Sequence, residues 1–529
     1  MADFKEKFKK LLEDEDFVES CQEVLFPGRH SPKIIGEYTG TTYKDFLIEP
    51  GHTEKDCSSE DVNTETTLAG VKLGRPFLMA AMRSVVDKRA GLEGGKNGIM
   101  PVAPRGLLVG KQAEIVTHVR DNEIKPGDIE VQKEPVCLHE GATLGEALDK
   151  TQTTGHSNIP VKNRMAELVG MFTYSPKKHD REDSSMVITG VMKPFKRDGE
   201  EILPVLRKDA SDEQIKSYMK SRDLRIAPIL DGQDRLEALV FMQQTEAYKI
   251  GAAVDTRPGW QKRAERMVEA GAHMLFIDTS DAYSDFAKDV VLEYNGRLGE
   301  TCEAIRTYKR QGDGPPLCAG NVVTRGGFRH LADAGADVIK VGMGSGSICI
   351  TNMELGVGAP PMWAVIEVSG ERDKYFKETG KYIPIIADGG IEDTWDINVA
   401  LTHADAVMGG RIFAGFEESA AEEITVNGKR RKVYYGEDSP LAVMASGNRD
   451  RYHMGEQKMA HGLYQGVAGT VPYAGFLKPG VELYTKALEE AMSHAGAHNL
   501  KEFRESRLIR LSEQAGRIAR PHGIHVIED

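Results

Sequence analysis

Short apolar runs that end in Gly, Asp or Asn recur along this chain and constrain its fold more than any other feature. FLMAA from Phe77, GIMPV from Gly98, KIGAAVD from Lys249 and HMLFID from His273 come first. PLCAGNVV from Pro316, ADVIKVGM from Ala336, IPIIADGG from Ile383 and ADAVMGG from Ala404 follow. Several are preceded by segments such as QKRAERMVEAGA, GGFRHLADAGA and TWDINVALTHA, whose apolar residues fall at helical spacing. Buried strands alternating with amphipathic helices make a parallel α/β architecture, and eight of them predict a closed (β/α)8 (TIM) barrel. In that architecture reactive groups sit at the C-terminal ends of strands, where the Gly, Asp and Asn residues fall.

One interval breaks the rhythm. Between GIMPV and KIGAAVD lies more chain than a crossover needs, and residues 126–245 read as an inserted domain between barrel segments 1–125 and 246–529. Its halves, EVQKEPVCLHEGATLGEALDKTQTTGHSNIPVKN and MKPFKRDGEEILPVLRKDASDEQIKSYMKSRDLRIAPILD, each give a strand-like start, an amphipathic helix and an IPV or APIL strand. The pairing resembles a tandem CBS (Bateman) module. Such modules often bind adenine or guanine nucleotides, but GMFTYSP keeps Thr173 and lacks the Asp that follows in the phosphate-contacting consensus, so a docking role is equally expected. A second long stretch, about 425–470, lacks sustained periodicity and is expected to be an irregular lid or flap.

Lys and Arg total 68 against 81 Asp and Glu, a formal net charge of −13, which argues against a partner bound by bulk positive charge such as nucleic acid or an anionic membrane. No window approaches the roughly 18 apolar residues of a membrane span, and MADFKEKFKKLLEDEDF is a charged amphipathic start rather than a signal peptide, so a cytoplasmic protein is expected. The six cysteines form no CxxC pair and no zinc-type spacing. Each is expected to be a free thiol, and all but Cys349 a small hydrophobe.

Cys349 lies in VGMGSGSICIT, residues 341–351, directly after the sixth predicted strand. Gly342, Gly344 and Gly346 let the backbone turn and approach a ligand, Ser347 offers a hydroxyl to a phosphate, and Cys349 sits where a thiolate reaches substrate. IADGG places Asp388, Gly389 and Gly390, and MGGR places Gly410 and Arg411, at neighbouring strand ends as one cradle for a ribose and a phosphate. No GxGxxG opens a helix after a strand, so a dinucleotide would bind the top face of the barrel.

The SICIT string, together with KYIPIIADGGI, FEES and VPYAG, resembles the IMP dehydrogenase and GMP reductase family over essentially the whole chain. The resemblance implies an NAD-dependent oxidation of IMP to XMP, a step of GMP biosynthesis, in which Cys349 attacks C2 of the purine and water hydrolyses the resulting thioimidate. It implies Thr351 beside the reacting centre, with Ser84, Gly436, Gln465 and Gly466 at the nucleotide. Asp278, Thr279, Ser280, Asn321, Thr256 and Arg257 are implied at the cofactor, and GNRDRYHMG resembles the family's mobile flap, with Arg451 as general base oriented by Tyr452. A potassium ion on the carbonyls of Gly344, Gly346 and Cys349, and a homotetramer or octamer, are implied in the same way. The tail SEQAGRIARPHGIHVIED lacks the Glu-Gly-Gly that completes such a cation site, and Arg83 in MRSVV stands where a neutral or acidic residue is frequent. GMP reduction with NADPH and a catalytically silent nucleotide-binding role are the alternatives.

Overall fold

The computed structural model of the chain describes residues 40–123, 127–297, 314–437, 439, 442 and 465–522, apart from residues 155, 157, 175–178, 180–182, 223 and 243–247. All eight predicted strands form, in the predicted order: β1 (Phe77–Met79), β2 (Met100–Ala103), β3 (Gly251–Val254), β4 (Met274–Ile277), β5 (Leu317–Val322), β6 (Val338–Val341), β7 (Ile385–Asp388) and β8 (Ala406–Gly409). Each pairs in parallel with the next, and β8 closes the barrel on β1 through Val407 opposite Phe77 and Met408 opposite Leu78. Eight helices surround it: α1 (Lys88–Lys96), α2 (Val109–Asp121), α3 (Trp260–Glu269), α4 (Asp285–Tyr294), α5 (Arg325–Ala334), α6 (Pro361–Thr379), α7 (Thr394–Leu401) and α8 (Leu477–Ala495).

The runs read as apolar throughout because both strand faces are buried. Leu78, Val102, Ala253, Phe276, Cys318, Val338, Ile386 and Met408 fill the barrel, while alternate residues such as Ile277, Ile339, Ile385 and Val407 pack under the helices. Side-chain caps start the helices where Asp87, Ser284, Thr324 and Asp393 accept backbone N–H groups. A hairpin of Thr66–Leu68 and Val71–Leu73 adds Leu68 and Leu73 to the barrel's inner core and plugs the end opposite the strand C-termini.

Two similar α/β halves fill the interval between α2 and β3. The first places Leu138–His139 and Asn158–Lys162 in parallel around helix 144–154, then adds Leu168–Thr173 antiparallel. The second repeats this with Leu206–Arg207, Ile226–Leu230 and Leu236–Met242 around helix Asp212–Ser221. Leu168, Met171, Phe195, Leu230 and Leu239 pack the halves into one shared core.

The stretch expected to be irregular is ordered at both of its ends. β9 (Glu423–Val426), β10 (Lys429–Tyr435) and β11 (Ala468–Pro472) form a three-stranded antiparallel sheet. Its tight turn is Asn427-Gly428, both at positive φ (52° and 76°), the geometry that matches the twist of a hairpin. Among the described residues no helix is long and apolar enough to cross a membrane.

Candidate active site

A cavity of about 200 Å³ opens at the C-terminal ends of the strands. The glycine loop after β6, the ends of β4, β5, β7 and β8, and the exit of the hairpin line it. Two glycines show why the loop takes this path. At Gly342, φ 144°, a Cβ would lie 2.0 Å from the carbonyl of Asp388; at Gly344, φ 76°, it would lie 1.7 Å from Oδ1 of Asn352. Only a residue without a side chain lets the loop lie against β7 and against the short helix Thr351–Leu355.

Cys349 stands between these contacts. Its Sγ is 3.1 Å from Oγ1 of Thr351, and Thr351 donates its hydroxyl to Oε1 of Gln465 at 3.0 Å. Because threonine has a single hydroxyl proton and spends it on Gln465, the Cys349 S–H is the donor toward Thr351. The backbone holds the same alignment: Ile350 N–H donates to the Gln465 carbonyl at 3.0 Å, and Val467 N–H to the Ile348 carbonyl at 2.9 Å, which sets Cys349 opposite Gly466.

Across the cavity, Asp388 accepts Asn321 Nδ2 at 3.0 Å and Lys340 Nζ at 2.5 Å, both on Oδ2. Among the described residues its Oδ1 has no hydrogen-bond partner, which leaves it for a ligand. Lys340 is 5% exposed. Burial alone would push its amine down, but the carboxylates of Asp388 and Asp278 outweigh that and hold it above the ordinary lysine value. Asp278 in turn accepts Arg105 Nε at 3.1 Å. Oδ1 of Asn321 is buried without a hydrogen-bond partner among the described residues.

The structure therefore gathers Asp278, Thr279, Ser280, Asn321, Gly344, Gly346, Cys349, Thr351, Asp388, Gly389, Gly410 and Gln465 around one space. Other expected residues lie elsewhere. Ser84 is fully buried and donates to the Tyr435 carbonyl at 3.2 Å, so its hydroxyl faces the hairpin rather than the cavity. Ser347 is exposed and Ser345 lines the cavity instead. Gly390, Arg411, Gly436, Gly466, Thr256 and Arg257 are not among the residues that line the cavity. Arg451 and Tyr452 lie outside the described residues.

Four polar lining residues have no counterpart among the sequence expectations: Ser345, Lys340, Tyr434 and Glu437. Lys340 left a signal, the one charge inside strand Val338–Val341, at a position whose neighbour two residues back, Val338, fills the barrel. Tyr434 is 5% exposed, and burial together with Asp388 raises its hydroxyl well above the tyrosine range.

Donors already occupy two of the carbonyls expected to hold potassium. Gly344 accepts Asn352 Nδ2 at 3.2 Å and Gly346 accepts Cys349 N–H at 2.9 Å. Each of these carbonyls thus spends one of its two lone pairs on a donor of the loop itself.

The family profile described as the IMP dehydrogenase / GMP reductase domain matches residues 40–522. The inosine-5′-monophosphate dehydrogenase of Tritrichomonas foetus is 31% identical over 506 residues, covering 89% of this chain and 93% of that relative. The enzyme of the same name from Aquifex aeolicus is 31% identical over 507 residues, covering 93% of this chain and 96% of its own. A solved GMP reductase variant from Trypanosoma brucei, in complex with guanosine 5′-monophosphate, superposes with a TM-score of 0.62 at 25% identity over 92% of this chain and 98% of its own. With the glycine loop, its cysteine and the facing aspartate on one barrel, the chain belongs to the IMP dehydrogenase / GMP reductase family of oxidoreductases.

Proposed function

We propose that the chain oxidises IMP to XMP with NAD. One observation carries the reading: a cysteine thiol pointed at a threonine oxygen, on the wall of a cavity whose far wall presents a charge-paired carboxylate. Oδ1 of Asp388 accepts ribose hydroxyls, and Gly389, Gly390, Gly410 and Arg411 take the phosphate side. Cys349 attacks C2 of the hypoxanthine, a C–S bond forms, and the C2–H bond breaks with its electron pair leaving as hydride. NAD, when bound along Asp278, Thr279, Ser280 and Asn321, supplies the hydride acceptor. Thr351 takes the thiol proton's hydrogen bond and orients the sulfur. Water then adds to C2, the C–S bond breaks, and the sulfur regains a proton from that water, so the one proton released per turnover is the thiol proton that Cys349 gives up on attack. Arg451, with Tyr452, is the base for that water, and no step passes through potassium.

Residues 126–245 act on this reading as a tandem CBS pair that docks rather than reacts, and the assembly is a homotetramer. The repeat of strand, helix and two strands in each half supports the first point. GMP reduction is the second reading, favoured by the GMP-bound relative. Mixing the protein with IMP and NAD, beside GMP with NADPH, separates them. NADH formation supports the dehydrogenase, whereas NADPH consumption with GMP alone replaces it with the reductase.

A further inference from the structure

Arg83 follows β1, and Glu437, which lines the cavity, follows β10. The Arg83 backbone N–H donates to Glu437 Oε1 at 2.7 Å and its Nε to Oε2 at 3.0 Å. Nη2 of the same guanidinium reaches the Ala442 carbonyl at 2.9 Å. The two side chains are 9% and 6% exposed. Gly106, from the loop after β2, packs on the pair so closely that a Cβ there would lie 2.3 Å from Glu437 Oε2 and 2.9 Å from Arg83 Nε. Three loops thus converge on one ion pair.

The pair connects to the thiol through a short path. Gly436, next to Glu437, donates its N–H to the Val467 carbonyl at 3.1 Å, and Val467 donates to Ile348. Two residues before Val467, Gln465 accepts the Thr351 hydroxyl that faces Cys349. A buried ion pair is weak evidence for stability, because apolar residues of similar volume often serve as well. What arginine supplies instead is direction: a planar fork holds a carboxylate in one orientation.

We propose that Arg83 and Glu437 are positioning residues of the Cys349 site. They latch the exit of the hairpin to the barrel, so that Gln465 and Thr351 stay aligned on the thiol. The rate consequences rest on the oxidoreductase reading above; the thiol's reactivity does not.

The test uses the full-length protein and compares Arg83→Met, Arg83→Lys, Glu437→Gln and the double variant Arg83→Met/Glu437→Met. Three quantities are read: the alkylation rate of Cys349 with iodoacetamide, followed by peptide mass; kcat and KM with IMP and NAD; and the thermal midpoint. Arg83→Met is expected to lower kcat roughly 10- to 100-fold with KM for IMP changed less than about threefold, and to shift the alkylation rate at least about threefold. Arg83→Lys recovers part of the loss. The double variant is less impaired than Arg83→Met, since no uncompensated carboxylate stays buried. If Arg83→Met does not fold, Arg83→Lys and Glu437→Gln carry the comparison. A drop in the thermal midpoint with wild-type kcat and alkylation rate overturns the proposal, making the pair structural only. A change in KM for IMP in Glu437→Gln with kcat intact in the Arg83 variants also overturns it, making Glu437 a direct substrate contact. Should the wild type turn over neither substrate pair, the functional reading fails while the alkylation comparison still decides this one.

Discussion

The two walls of the cavity are built in different ways. The strand-end wall consists of Asn321, Lys340 and Asp388 on β5, β6 and β7, adjacent parallel strands in register through Gly320 opposite Lys340 and Lys340 opposite Ile386. Backbone ladders set the spacing of its charged groups, and burial keeps them from moving. The hairpin wall consists of Tyr434, Glu437 and Gln465, which share no ladder with the barrel strands. Side-chain ties and two backbone bonds to residues 348–350 hold it in place. The first wall is therefore fixed by the barrel's own ladders, and the second by ties that single substitutions remove.

Substitutions on either side should break this contrast in different ways. Cys349→Ala, at the junction of the two walls, should lower turnover by about 10³-fold or more while IMP binding by calorimetry persists. Arg451→Ala should leave the first-turnover NADH burst nearly intact while steady-state turnover falls by roughly 10²-fold; an equal loss in both phases contradicts its role as base. Lys340→Met leaves the carboxylate of Asp388 with a lost buried partner. It should destabilise the barrel by about 3 kcal/mol in denaturant unfolding and weaken IMP binding more than any change on the hairpin wall does.

Two smaller effects sharpen the comparison. His273 and His403 lie outside both walls, where burial, with Arg120 and Arg372 respectively, pushes them down to about 3 and about 4. In the unfolded chain they titrate near 6.5, so the unfolded state takes up protons first as pH falls. Their contribution to stability is full above about pH 6.5 and declines as the pH drops from there toward 4. The thermal midpoint should fall between pH 7 and pH 5, and a flat profile would contradict their buried neutral state. Replacing potassium with a large organic cation at constant ionic strength should change kcat by less than about twofold, because Asn352 already serves the Gly344 carbonyl. A larger loss would restore the cation to the loop.

Asn321 and Asp388 of the strand-end wall were legible in the sequence and Lys340 was not; of the hairpin wall only Gln465 was. A parallel strand buried on both faces writes itself as an unbroken apolar run, and its C-terminal Asp or Asn follows directly. Asp388 is read that way, while Asp278 and Asn321 end such runs and take their expected role from the family resemblance. Side-chain direction within a loop leaves no such mark: Ser345 and Ser347 are two residues apart in the same motif, and only the first lines the cavity. Ser84 turned to a carbonyl of the hairpin that sequence spacing could not bring near it. The hairpin itself had a readable turn, Asn-Gly, hidden by the charged run KRRK that follows it, although Lys432 of that run is buried. Glu437 depends on a partner more than three hundred positions away, and no local pattern announces that.

The central claim is that Cys349 carries the purine covalently between hydride transfer and hydrolysis. Rapid quenching of the protein with IMP and NAD, followed by mass analysis of the peptide containing Cys349, tests it directly. The account predicts a nucleotide adduct on that cysteine, formed with the NADH burst and enriched in Arg451→Ala. NADH formation with every thiol unmodified at all quench times would contradict it.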